Sequence, residues 1–308
     1  MSICLAQDTF TPESLLFLTP ALTVALMTAA WIGVFHGKAV LGPRQIHPER
    51  PIWPALVSGL TGAAVWLGTQ LAFGIYLGVR HAQGHVEQPF DMALDLSTTD
   101  YLFLAIVPGS AGFVVLLVLD LVIDSHVVQM IGARLAGLSI GLVKALAGML
   151  IVFPLMIWAS LGLELFYRKV GFQHPNAHQL LTVMKETHDP LLRGSLVFGA
   201  CFVAPLFEEF LFRGHIQTVF VRFLLPSKRI TPDATSTSEG RTAKRVWVAI
   251  FLTSVLFAVV HPAWTIPLIL LLSLCLGYAY ERTGNLWVSV FLHALFNTSS
   301  TVYFLWFT

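Results

Sequence analysis

The longest run without a charged side chain contains 35 residues, between Arg245 and Glu281. Five further uncharged runs contain 24, 29, 19, 19 and 26 residues and follow Glu13, Arg50, Asp100, Lys144 and Arg282. A transmembrane helix needs about 20 consecutive, mostly apolar residues. Only 11% of the 308 residues are charged, against about 25% in soluble domains. The sequence therefore predicts an integral, multi-pass membrane protein and excludes a soluble enzyme, a disordered chain and a nucleic-acid binder.

We predict an all-α fold, a polytopic transmembrane bundle of about eight helices. As one helix, the 35-residue run would be about 52 Å long, whereas the hydrocarbon core is about 30 Å thick. The run must therefore reverse, and we expect the break at His261-Pro262 because proline disfavours helix at the residue before it. The predicted helices cover residues 15–35, 53–79, 101–123, 138–163, 191–220, 246–261, 265–280 and 286–307.

The charges of the loops predict the orientation, because cytosolic loops carry an excess of Lys and Arg. Residues 36–52 contain three basic side chains, and residues 226–245 contain five against two acidic ones. Residues 80–100, by contrast, contain four acidic side chains and one arginine. With eight crossings, this pattern predicts that both termini lie on the non-cytosolic side.

The predicted helix 191–220 carries two adjacent carboxylates in an apolar context, in the pattern Glu208-Glu209-x-x-x-Arg213. Ionisable groups inside a membrane are costly and by default indicate function. Glu209 and Arg213 are four residues apart with the acid first, the favoured order for an intrahelical ion pair. Glu208 lies about 100° around the helix and remains available as a general base. The structural alternative is that Arg213 bridges both glutamates and locks helices together.

Two other predicted helices carry polar residues at helical spacing. Phe257 and His261 are four residues apart, as are His293 and Asn297, so each pair lies on one helix face. A single histidine in a membrane helix is most often a hydrogen-bonded packing residue. Three helices that each contribute Glu or His predict a shared functional site.

The remaining intramembrane polar residues have simpler interpretations. Asp120 and Lys144 fall near predicted helix ends, where an ion pair or snorkelling explains them. His215 follows Glu208 by seven residues and is expected at the edge of the same cavity. The three cysteines are widely spaced and indicate neither a disulfide framework nor a metal site.

Together, the three motifs resemble, in order and context, those of the CAAX protease and bacteriocin-processing family of intramembrane endopeptidases. This family is related to the type II CAAX prenyl proteases. The resemblance covers roughly residues 180–301, and Pro205 and the sequence Thr283-Gly284-Asn285-Leu286 also resemble the family. It implies a catalytic transmembrane core at 180–308, preceded by helices of unassigned role at 1–179, within one integral bundle.

The resemblance also implies roles for the motif residues. The implied catalytic residues are Glu208, His261, His293 and Asn297, and the implied supporting residues are Glu209, Arg213 and Phe257. In this scheme Glu208 and His261 activate a water molecule, while His293 and Asn297 donate to the oxyanion. The expected substrate is a peptide or protein at the lipid bilayer, prenylated in the CAAX branch of the family. No metal or other cofactor is expected.

Two alternatives remain open from the sequence. Glu208, His261 and His293 are all legitimate zinc ligands, so the same residues are compatible with a zinc-dependent intramembrane protease, although no His-Glu-x-x-His motif is present. The second alternative is a non-enzymatic protein, either a membrane partner or a transporter whose buried Glu208 and His261 relay protons. We find no internal inverted repeat, which argues weakly against a secondary transporter.

Overall fold

A computed structural model describes residues 52–84, 96–123, 126–173, 179–224 and 236–307, and these residues contain helices and short turns without a strand. The eight main helices are α1 (Ile52–Gly84), α2 (Thr98–Ile123), α3 (Leu138–Val170), α4 (Gln179–Glu186), α5 (Pro190–Leu224), α6 (Ser236–Val259), α7 (Ile266–Thr283) and α8 (Leu286–Phe307). The predicted helix 15–35 lies outside the described residues. The all-α fold predicted from the sequence is confirmed.

Six of the described helices are long and apolar enough to cross a membrane, namely α1, α2, a 36-residue segment containing α3, α5, α7 with its preceding turn, and α8. The predicted reversal after residue 261 is present, because α6 ends at Val259 and a 3₁₀ turn at Ala263–Thr265 leads into α7. The protein is therefore an integral, multi-pass membrane protein built as a helical bundle.

Helix α5 changes register twice along its length. It begins with Pro190 at the first turn, where the Asp189 side chain accepts a hydrogen bond from the Leu191 amide. It then contains two π-helical segments, Gly199–Val203 and Phe210–Gln217, on either side of the α-helical turn Ala204–Glu209. Short π segments are frequent at functional sites because they shift side chains and leave backbone groups available.

Helix α5 lies at the centre of the described bundle. Helices α1, α2, α6 and α8 all pack against it, and α3 packs against α7 and α8. Its buried aromatic side chains, Phe207, Phe210 and Phe212, form a core cluster with Phe257 of α6 and Tyr280 of α7. Glu208 and Glu209 therefore lie beside this buried aromatic cluster.

A tight turn between α7 and α8 fixes where α8 begins. Gly284 adopts a left-handed conformation with φ of 58° and ends α7. The Asn285 side chain accepts a hydrogen bond from the Trp287 amide, at 3.0 Å, and donates one to the Gly137 carbonyl, at 2.9 Å. This turn sets the start of the helix that carries His293.

Gly112 of α2 allows α1, α2 and α5 to approach one another closely. A Cβ atom at this position would lie 2.7 Å from the Phe207 ring of α5 and 3.2 Å from the Gly62 carbonyl of α1. Phe207 is fully buried and also contacts the Trp66 ring, with the ring centres 5.6 Å apart. The packing next to Glu208 therefore depends on the absence of a side chain at residue 112.

We predict that Gly112→Ala lowers the free energy of unfolding by about 1–3 kcal/mol, because it overpacks the contact with Phe207. Thermal unfolding in detergent measures this effect. Gly78→Ala is the matched control in α1, since a Cβ there would meet no atom within 4 Å. Equal melting temperatures for the two variants would contradict this role for Gly112.

Candidate active site

Glu209 forms two charged contacts in the interior of the bundle. Its Oε2 lies 3.1 Å from Nε of Arg213, one turn along α5, and its Oε1 accepts a hydrogen bond from Nδ1 of His293 at 3.0 Å. The Glu209 and Arg213 side chains are completely buried, and His293 is nearly so. The ion pair of Glu209 and Arg213 that the i, i+4 spacing predicts is present. The spacing did not predict the contact of Glu209 with His293 of α8.

The Glu208 carboxylate is differently placed. Its Oε2 lies 3.9 Å from Nε2 of His293, which is beyond hydrogen-bonding distance, and 14% of its side chain is exposed. His293 therefore has a carboxylate on each side, since Glu209 binds its Nδ1 and Glu208 faces its Nε2. The two adjacent glutamates differ in environment, because one is tightly held and the other borders open space.

Arg213 is anchored by α7 and covered by α6. Its Nη2 donates to the side-chain oxygen of Ser273 at 2.8 Å and to the Ser273 carbonyl at 3.1 Å. Its guanidinium carbon also lies 4.8 Å from the centre of the Phe257 ring, a cation–π contact. The counter-ion of Glu209 is thus fixed by two further helices.

His261 lies just beyond the end of α6 and is oriented by its own turn. Its Nδ1 lies 2.7 Å from the Phe257 carbonyl, which can only accept a hydrogen bond, so Nδ1 carries a proton. Its Nε2 is therefore the nitrogen that is left for chemistry. The Phe257 ring lies 4.8 Å from the His261 ring and 5.8 Å from the His293 ring, centre to centre, and so joins the two histidines.

Asn297 is held by a backbone carbonyl of α5. Its Nδ2 donates to the Ala200 oxygen at 2.9 Å. In an α-helix the amide of Ala204 would bond to this oxygen, but in the π segment it bonds to the Gly199 carbonyl instead. The first register shift therefore releases the carbonyl that positions Asn297, and one N–H of its amide stays available.

The structure also contains buried polar contacts that the sequence did not identify. Asp120 accepts a hydrogen bond from Nε2 of His215 at 2.9 Å, while Nδ1 of His215 lies 2.8 Å from the Phe210 carbonyl. Asp120 is buried, so snorkelling does not explain it, whereas its contact with His215 is a salt-bridge contact of the kind that the sequence predicts. Gln217 donates to Glu281 of α7 at 3.1 Å. The pairs Asp120–His215 and Gln217–Glu281 join residues that are far apart in the sequence, so helical spacing does not predict them.

The structure thus brings six of the predicted residues into one connected group and places the seventh, Asn297, one turn beyond His293. Among the described residues, no three His, Cys, Asp or Glu side chains converge closely enough to hold a metal ion. A carboxylate bordering open space, two histidines and an amide donor are a set suited to general acid–base chemistry on a bound water.

A comparison with protein families matches part of the chain. Residues 190–299 match the family described as type II CAAX prenyl endopeptidase Rce1-like, and all three sequence motifs fall within that range. No curated protein and no solved structure matches the chain. The match agrees with the resemblance noted from the motifs. The chain is a multi-pass membrane protein whose residues 190–299 are similar to the Rce1-like family of type II CAAX prenyl endopeptidases.

Proposed function

We propose that this protein is a glutamate-type intramembrane endopeptidase in which Glu208 activates a water molecule for attack on a peptide bond. The observation that supports this most directly is the contrast between the two adjacent glutamates. Glu209 is buried and bound to Arg213 and His293, whereas Glu208 borders open space 3.9 Å from His293 Nε2. A general base needs a carboxylate that is not neutralised by a permanent partner.

In this mechanism one water molecule bridges Glu208 and His293. Hydrogen bonds are about 2.8 Å long, so one water can contact both side chains across 3.9 Å. Glu208 would take a proton from this water, and the hydroxide would attack the substrate carbonyl. His261, through its Nε2, would assist the transfer of that proton to the leaving amine, which departs as the C–N bond breaks.

The oxyanion formed in this attack needs hydrogen-bond donors. Asn297 supplies an amide that is already oriented by the Ala200 carbonyl. Because His293 donates from Nδ1 to Glu209, its Nε2 can donate only when the ring is an imidazolium. The Glu209 carboxylate lies 3.0 Å from Nδ1, so in this mechanism Glu209 orients His293 and balances its charge. Each such donor typically contributes about 10²–10³ in rate.

We propose substrates that are peptides or proteins at the lipid bilayer, with prenylated chains as the first to test because of the family match. Peptide mass spectrometry of membranes from cells that express the wild-type protein or Glu208→Gln identifies the substrate by its changed termini. Synthetic CAAX peptides with and without a prenyl group then show whether the lipid is required.

We also propose the orientation in which the basic loop between α5 and α6 faces the cytosol. Arg222 lies in the last turns of α5, and Lys244 and Arg245 lie in α6, on either side of that loop. The chain termini would then be non-cytosolic, in agreement with the excess of basic residues in cytosolic loops.

Glu208→Gln is expected to abolish proteolysis and to leave thermal stability in detergent close to that of the wild type. The substitution keeps the side-chain volume and removes the base, and the 3.9 Å contact of Glu208 with Nε2 of His293 is too long to be a hydrogen bond. Cleavage of a defined peptide by purified protein measures the effect. A residual rate of a tenth or more of the wild-type rate would contradict the assignment of Glu208 as the base.

Glu209→Gln is expected to lower both stability and activity. Loss of its charge leaves the fully buried Arg213 without a counter-ion, a cost of about 3–5 kcal/mol for a buried pair, and leaves the imidazolium of His293 unbalanced. Thermal unfolding of Glu208→Gln and Glu209→Gln, measured in parallel, separates the two glutamates. Equal losses of stability would favour the alternative in which Arg213 locks both residues.

Zinc is the alternative for the same residues, and the donor geometry does not favour it, because no group of three ligands converges among the described residues. We expect purified protein to contain no stoichiometric zinc and to keep its activity after prolonged dialysis against EDTA. Elemental analysis and activity assays test this. One zinc per chain, with activity lost on chelation and restored by zinc, would assign Glu208, His261 and His293 as ligands instead.

A further inference from the structure

The Ala200 carbonyl that holds Asn297 is left available by two neighbouring features of α5. The first is the π register, in which the Ala204 amide bonds to Gly199 rather than to Ala200. The second is Pro205, the next residue, which has no N–H. In a continuing π turn, the amide of residue 205 would be the donor to the Ala200 oxygen, five residues back. The Ala200 carbonyl thus lacks both of its potential helical donors.

We propose that Pro205 is a positioning residue for Asn297, because it keeps the Ala200 carbonyl free to accept the Asn297 amide. The proposal rests on the proposed function in that Asn297 then donates to the oxyanion. Pro205 touches neither the water nor the substrate. It acts through the backbone, by preventing α5 from using the oxygen that Asn297 needs.

An N–H at residue 205 would change this arrangement in a defined way. The new amide could donate to the Ala200 oxygen, or it could let the turn relax into an ordinary α-helix, which moves that oxygen along the helix. Both outcomes weaken the 2.9 Å contact with Asn297. Neither should weaken the fold, because proline is the least favourable residue in a helix interior.

The side-chain amides of asparagine give a direct test, since the chain contains only Asn176, Asn285 and Asn297. Protein labelled with ¹⁵N at asparagine side chains should show three NH₂ pairs in lipid nanodiscs, and Asn297→Asp assigns one of them. We expect Pro205→Ala to shift the Asn297 pair and to leave that of Asn285, bound to the Gly137 carbonyl, unchanged. Pro205→Ser introduces the same backbone N–H and is used in place of Pro205→Ala if that variant does not fold.

The activity of the same variants completes the test. We expect Pro205→Ala to lower kcat about tenfold, with KM little changed and with a melting temperature equal to or above that of the wild type. Pro154→Ala is the matched control, because Pro154 is also inside a membrane helix, α3. An unchanged Asn297 resonance, or a loss of kcat only in step with a loss of stability, would overturn the proposal. If the wild-type protein cleaves no peptide, the proposed function fails, and the resonance of Asn297 still decides the role of Pro205.

Discussion

The burial of the Glu209 carboxylate is the constraint on which the rest of the site depends. An isolated charge in a medium of low dielectric constant is too costly to persist, so it must be paired and hydrogen-bonded. Arg213 supplies the opposite charge, and Ser273 and the Phe257 ring hold the guanidinium in turn. Helices α5, α6 and α7 are thereby bound to a single ion pair.

A buried ion pair is often no more stabilising than apolar side chains of the same volume, so stability alone does not explain this one. The contact between Glu209 and His293 adds a second role, because a carboxylate on Nδ1 fixes the orientation of the imidazole ring. Arg213 is then the counter-ion of the carboxylate that binds His293, so the ion pair also fixes the position of the histidine.

In the π segments of α5, side chains also bind backbone carbonyl groups. The first shift of register leaves the Ala200 carbonyl without a helical donor, and side chains bind this carbonyl and two carbonyls of the second π segment. Asn297 donates to Ala200, His215 to Phe210 and Thr218 to Arg213, the last two across five residues of the same helix. Unsatisfied carbonyls inside a membrane are costly, so these side chains stabilise the irregular helix while the helix fixes their positions.

Helix positions and local pairs were predictable from the sequence, but contacts between helices were not. The bounds of α8 agree with the prediction, and α6 ends close to the expected break, because apolar length and proline act locally. The ion pair of Glu209 and Arg213 follows from helical spacing alone. The partners of His293, Asn297 and Asp120 are 84 to 97 residues away in the chain, and no periodicity encodes which helices meet. The π segments were missed for a similar reason, since an amphipathic pattern does not reveal one extra residue in a turn.

The contacts of Glu209 also determine where the adjacent Glu208 lies. The side chains of consecutive helical residues point about 100° apart. Because the backbone between them is rigid, contacts that hold one side chain also fix the backbone position from which the other extends. Glu209 is held by α5 itself and by α8, and Glu208 therefore faces His293 without needing a permanent partner of its own. A carboxylate held by its own ion pair would be well oriented but neutralised by its partner. A carboxylate on a helical turn without such contacts nearby would be unpaired but poorly positioned. In the proposed mechanism the pair Glu208-Glu209 meets both requirements, because Glu209 holds the helix in place and Glu208 remains available as the base.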